Sequence, residues 1–185
     1  RVGDSSGTAS FIDVPGYSTA YDGSSLDGYT IELWMQGDAP PSLSSVPNGP
    51  LMGHRLFNIG WDHTTKAFVG SYHFHHTTLG WTAVPAPGME PDQWYYAAGV
   101  FDGTAGVARS FRDGEPDSQL TGMDGATGTI AHYLRIGAGG DTSSVFDGLV
   151  DEVRITHQVR SAEWIAAQYE SMRDELLLFD ETERR

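Results

Sequence analysis

The sequence predicts an all-β fold in which two antiparallel sheets pack face to face as a sandwich. Three observations lead there. Short apolar or alternating runs recur along the chain, each bounded by turn-forming residues. The 23 Gly and 9 Pro are spread through 185 residues rather than clustered, which marks many turns and no disordered tail. One stretch alone, late in the chain, carries convincing helical spacing.

The elements follow in order. Residues 10–15 (SFIDVP) predict a first strand, stopped by Pro15-Gly16. In residues 29–36 (YTIELWMQ) side chains alternate cleanly. Tyr29, Ile31, Leu33 and Met35 fall on one face, and Thr30, Glu32, Trp34 and Gln36 on the other. Residues 37–52 are rich in Pro and Ser and predict a long loop, a length often tied to function. Residues 56–61 and 67–76 predict a hairpin around DHTTK, and residues 81–91 a second Pro-rich loop. Residues 94–102 (WYYAAGVFD) are apolar on both faces, as a central, covered strand should be. Residues 107–112 run into Asp113-Gly114, a tight hairpin turn whose two central residues need positive φ. Residues 134–137 and 149–155 add two more strands. Ser161 is a good N-cap, because its hydroxyl can accept a bond from a free backbone N–H. Trp164, Ile165, Tyr169 and Met172 then form a stripe at helical spacing, expected as a packing face. Residues 176–179 (LLLF) predict a final buried strand, and no internal repeat is visible.

The length suits one domain, 1–185, able to bury roughly 70% of the surface its unfolded chain exposes. No run reaches the ~18 apolar residues that cross a membrane as a helix. Eleven basic residues face 25 acidic ones for a net charge of -14, and Lys66 is the only lysine. Such a surface repels nucleic acid and anionic lipid. It suits a saline or calcium-rich setting, in which cations screen or bind carboxylates, or it serves solubility alone. The absence of cysteine excludes disulfides, thiolate metal sites and thiol catalysis. The sequence begins at Arg1, so a processed or excised piece of a larger protein is expected.

The ordered segments YTIELWM, WYYAAGVFDG, VARSFRDGEP, LRIGAGG and FDGLVDEVRI, followed by RSAEWIAAQY, resemble the laminin-G-like, concanavalin A-like jelly-roll family. The likeness is greatest to the branch found in bacterial surface proteins. It covers about residues 10–179, and the pair DEVRI and RSAEWI is its most specific part. Residues 37–91 depart from the pattern. The resemblance implies two antiparallel sheets and non-catalytic roles: carbohydrate or protein binding, adhesion, and spacing within large extracellular proteins. Members often open with an extra strand that RVGDSSGTA does not match, so the first strand is expected to be short or completed from elsewhere.

Candidate sites start from Asp151. In an unbroken strand it shares a face with Leu149, Val153 and Ile155, in line with core aliphatics. A buried carboxylate needs a cation, several N–H donors, or an arginine such as Arg135. Calcium takes six to eight oxygens from loops and carboxylates. The resemblance implies an acid ligand at the position of Asp151, and Asp141, Asp147 and Asp22 are further loop acids. In SYHFHHTT, His73 and His75 share one strand face and Tyr72, Phe74 and His76 the other. The two imidazoles suit hydrogen bonding to a ligand. Zinc or copper would require a third ligand such as His54 or His63. Trp61, Tyr72 and Trp81 are candidates to stack on a pyranose, and Trp34 is expected between layers.

Some glycosidases use two carboxylates about 5 to 9 Å apart across a cleft. No E-x-D-x-E strand is present, nor a G-x-S-x-G, phosphate-loop or HExxH motif, so an enzyme is not expected. The expected function is an extracellular or cell-surface binding module for a glycan or protein ligand, with a structural Ca2+. The alternative is an architectural unit of a fibre, sheath or surface layer, joined through an open sheet edge. A glycosidase or lyase is the third class.

Overall fold

The computed structural model describes residues 11–14, 27–37, 51–53, 57–62, 67–76, 78–84, 88–90, 92–125, 134–137, 146 and 148–173. Among these lie twelve strands and one helix. The strands are β1 (Ile12–Val14), β2 (Gly28–Gly37), β3 (Leu51–Gly53), β4 (Phe57–Asp62), β5 (Ala67–His76), β6 (Gly80–Val84), β7 (Gly88–Met89), β8 (Trp94–Asp102), β9 (Val107–Arg112), β10 (Glu115–Thr121), β11 (Leu134–Ile136) and β12 (Gly148–Thr156). The helix is α1 (Ala162–Met172).

The strands form two antiparallel sheets. One has seven strands in the order β1-β11-β3-β4-β5-β6, with β7 also paired to β5. The other has five, in the order β10-β9-β8-β2-β12. This is the sandwich predicted. Tyr29, Ile31, Leu33 and Met35 of β2 all turn inward, as their alternation requires. They join Ala97, Phe101 and Ala108 from the same sheet and Val84 and Leu134 from the opposite one in a single core. Tyr29 and Phe101, directly paired across β2 and β8, stack with ring centroids 5.6 Å apart.

Strand β8 is the centre of its sheet and is apolar on both sides for a visible reason. Its outward residues Tyr96, Ala98 and Val100 bury against a second cluster built on Phe111 and Ile165. That cluster is closed by α1, whose Trp164, Tyr169 and Met172 supply the predicted stripe. Ser161 caps the helix as expected, accepting the Trp164 N–H at 3.2 Å. Trp34 lies between sheet and helix, 5.6 Å from the Tyr96 ring and 5.7 Å from that of Tyr169.

The hairpin β9–β10 turns at Asp113 and Gly114 with φ of 51° and 82°, both positive as predicted. Asp113 continues the β8 ladder beyond β9. Its N–H donates to the Tyr96 carbonyl at 2.8 Å, and its Oδ1 accepts the Tyr96 N–H at 2.9 Å. Space at Gly114 is also tight, since a Cβ there would meet Tyr169 Cδ1 at 3.0 Å.

Three expectations need correction. The segment expected as a Pro-rich loop after residue 81 contains β6 and β7, both paired to β5. The end of the long loop expected over 37–52 contributes to β3, which pairs with β4 and β11. The strand expected over 149–155 is present as β12, but its alternation is broken. The strand expected at 176–179 lies outside the described residues.

Candidate functional site

The two outer faces of the sandwich differ. Among the described residues, the outer face of the five-stranded sheet carries α1, and no helix lies on the seven-stranded sheet. Residues directly opposite in an antiparallel ladder share a face, so the pairing register maps that second face. One row runs across six strands: Asp13, Arg135, Met52, Asn58, His73 and Ala83. At ~4.8 Å between strands it spans roughly 24 Å. Two residues further along β5, His75 stands opposite Trp81 on the same face. The neighbouring row passes through Leu51, Ile59, Tyr72 and Val84. Val84 is buried in the core, which makes that row inward and the His73 row outward.

The register therefore brings His73, His75 and Trp81 to one outer face. It places Tyr72 on the opposite, core-side face, opposite Val84. Trp61 falls inside a register shift between Gly60 and Asp62, where pairing assigns no face. At the far end of the outward row, Arg135 Nε donates to Asp13 Oδ1 at 2.6 Å. Its guanidinium lies 4.5 Å from the centroid of the Phe11 ring. This pair was not singled out from sequence, although both charges sit between aliphatics in FIDV and LRI, a signal that was legible. Trp94, in a run that reads as wholly covered, is 42% exposed at the start of β8, on the outer face of the five-stranded sheet opposite Gln36.

Asp151 does not lie where unbroken alternation puts it. A register shift separates Asp151, opposite Trp34, from Arg154, opposite Glu32. Glu152, at φ 51°, is the extra residue of a β-bulge. It resets the phase, so Val150, Val153 and Ile155 all pack on the core while Asp151 faces out with Leu149. The carboxylate is exposed and accepts the Glu152 N–H at 2.8 Å. Asp151 is therefore not a buried charge in need of a partner, and Arg135 pairs with Asp13 instead. Asp22, Asp141 and Asp147 lie outside the described residues. Among the described residues no three His, Asp or Glu side chains cluster as metal ligands.

The buried carboxylate of this face is Glu32, 1% exposed. Its Oε2 accepts the Tyr96 hydroxyl at 2.8 Å. Burial pushes its pKa above the ordinary carboxylate value, against the opposing pull of that bond and of Arg154 and Arg160. Burial and the adjacent carboxylate also push the Tyr96 phenol up, so it stays a donor. Glu32 sits in the layer between β2 and α1.

Comparison with known proteins places the fold. Residues 7–166 match the Laminin_G_3 family, described as the concanavalin A-like lectin/glucanases superfamily. No curated protein matches significantly over the sequence. Among solved structures, the chain is similar to the sialidase CBM40 of Ruminococcus gnavus bound to α2,3-sialyllactose. That likeness has a TM-score of 0.60 at 16% identity, over 85% of this chain and 91% of that one. It is also similar to the heptameric SAP-like pentraxin of Limulus polyphemus, at TM-score 0.59 and 10% identity over 78% of this chain and 70% of the other. A third likeness is to the receptor binding domain of the botulinum neurotoxin C/D mosaic serotype, at TM-score 0.62 and 8% identity. It covers 87% of this chain but only 40% of that domain. These likenesses show the fold, a jelly-roll sandwich.

Proposed function

The chain belongs to the concanavalin A-like lectin/glucanases superfamily, and from that premise we propose that it is a non-catalytic, extracellular carbohydrate-binding module. Its ligand lies on the outer face of the seven-stranded sheet at the β4–β6 end, since Arg135 at the β11 end of that row is buried. The observation that carries this is the register that sets His73, His75 and Trp81 on one face together with Asn58. An indole offers a flat apolar surface for a pyranose, while imidazole and amide groups hydrogen-bond hydroxyls. The occupied outer face of the other sheet and the glycan bound by the similar sialidase module support the same choice.

The test is retention on a panel of immobilised glycans. Trp81→Ala and the double variant His73→Ala/His75→Ala are expected to weaken binding at least about tenfold, the loss of one stacking or bonding contact of ~1.4 kcal/mol or more. Unchanged affinity in both variants, or no glycan retained by the parent protein, would overturn the assignment.

A structural Ca2+ held by Asp151 with Asp22, Asp141 and Asp147 is a separate proposal. What supports it is the acidic surface and the solvent-facing carboxylate at the bulge. A chelator should then lower the melting temperature, and an unchanged melt would remove the ion from the account.

A further inference from the structure

Beneath α1, three buried side-chain atoms have no hydrogen-bond partner: Glu32 Oε1, Thr156 Oγ1 and Arg160 Nε. They belong to one neighbourhood. Glu32 is opposite Arg154, and Thr156 stands two residues further along β12 on the same face, a diagonal neighbour. Thr156 is itself opposite Thr30, whose hydroxyl accepts the Arg160 N–H at 3.1 Å and donates to the Gln158 carbonyl at 2.7 Å. The Arg160 backbone is thereby pinned beside the threonine pair. Its guanidinium lies 4.3 Å from the centroid of the Trp164 ring, and its charge is felt at Glu32.

The groups nearest Glu32 are committed elsewhere. Tyr96 takes Oε2. Arg154, although opposite Glu32, donates its NH2 to Glu152 at 2.6 Å and its NH1 to Met172 Sδ at 3.4 Å. What is left is an acceptor on Glu32, an N–H donor on Arg160 and a hydroxyl on Thr156 that can do either. Two guanidiniums repel a cation here, and the Glu32 carboxylate repels an anion. A neutral molecule that both donates and accepts fits, and buried waters make about three such bonds to otherwise unsatisfied groups.

We propose that one ordered water bridges Glu32 Oε1, Thr156 Oγ1 and Arg160 Nε, and that it is a fixed part of the joint seating the entry of α1 on the five-stranded sheet. Thr156→Val tests this, because it keeps the side-chain shape and removes the hydroxyl. With the water present, the variant strips away one of its partners and the melting temperature falls by about 2–4 °C. Without it, the change deletes a buried unsatisfied hydroxyl, and a melting temperature that rises or stays level overturns the proposal. A high-resolution crystal structure of the parent protein decides independently of the variant. Density within hydrogen-bond distance of all three atoms is expected, and a well-ordered site without it overturns the inference.

Discussion

Glu32 loses most of its hydration on folding and, among the described residues, gains one hydrogen bond to protein, from Tyr96. Its folded pKa is raised above the unfolded 4.5, so the native state prefers the protonated form. Its contribution to stability is then most favourable below about pH 4.5 and is lost as pH rises through the folded value. Glu32→Gln keeps the acceptor for Tyr96 and removes the charge. The variant is expected to melt higher than the parent at pH 7.5, with the difference closing at pH 4. A constant difference across that range would mean that charge burial is not its origin. Asp151, by contrast, needs no such compensation: its oxygens lie at the surface, and its place in the sequence misled because one residue downstream breaks the count.

The bulge in β12 turns on Glu152, whose φ of 51° lies where side chains with a Cβ are strained. Glu152→Gly should therefore keep or slightly raise stability, since the ion pair lost to Arg154 is exposed and worth little. Glu152→Val, β-branched at positive φ, is expected to cost about 1–3 kcal/mol in chemical denaturation. Equal stability of the two variants would place the bulge elsewhere. This element also shows the limit of reading by period. β2, β8, the β9–β10 turn and α1 were legible because nothing interrupts their alternation, turn chemistry or stripe. β12 was found as a strand, but its phase was not, because Val150 and Val153 are three apart and the extra residue leaves no compositional mark. β6, β7 and β10 carry Gly, Pro or mostly polar residues, and only their partners across the sheet make them strands. The outward face of His73, His75 and Trp81 was half visible: alternation joined the two histidines, but the partner strand that adds Trp81 is a long-range choice.

At the scale of the whole molecule, both flanks of the five-stranded sheet are guarded among the described residues. β12 ends the sheet with a bulge and the charges of Asp151, Glu152 and Arg154. β10 ends it with Pro116, which lacks an N–H, and a register shift before Ser118. Such devices discourage strand addition, and a net charge of -14 opposes close approach of copies. The 20.1 kDa chain is expected to sediment as a monomer at ~0.1 mM in 0.15 M salt. A concentration-dependent rise in mass would instead favour the architectural role. Tyr169 and Ala166 stand so close over Gly114 that a Cβ added there would press on both. The hairpin tip and the helix pack in one cluster with Phe111, Ile165 and Tyr169, so loosening either exposes the other's apolar surface. Amide protons of β9, β10 and α1 should then exchange with solvent through one shared opening event, leaving the opposite layer to open on its own schedule.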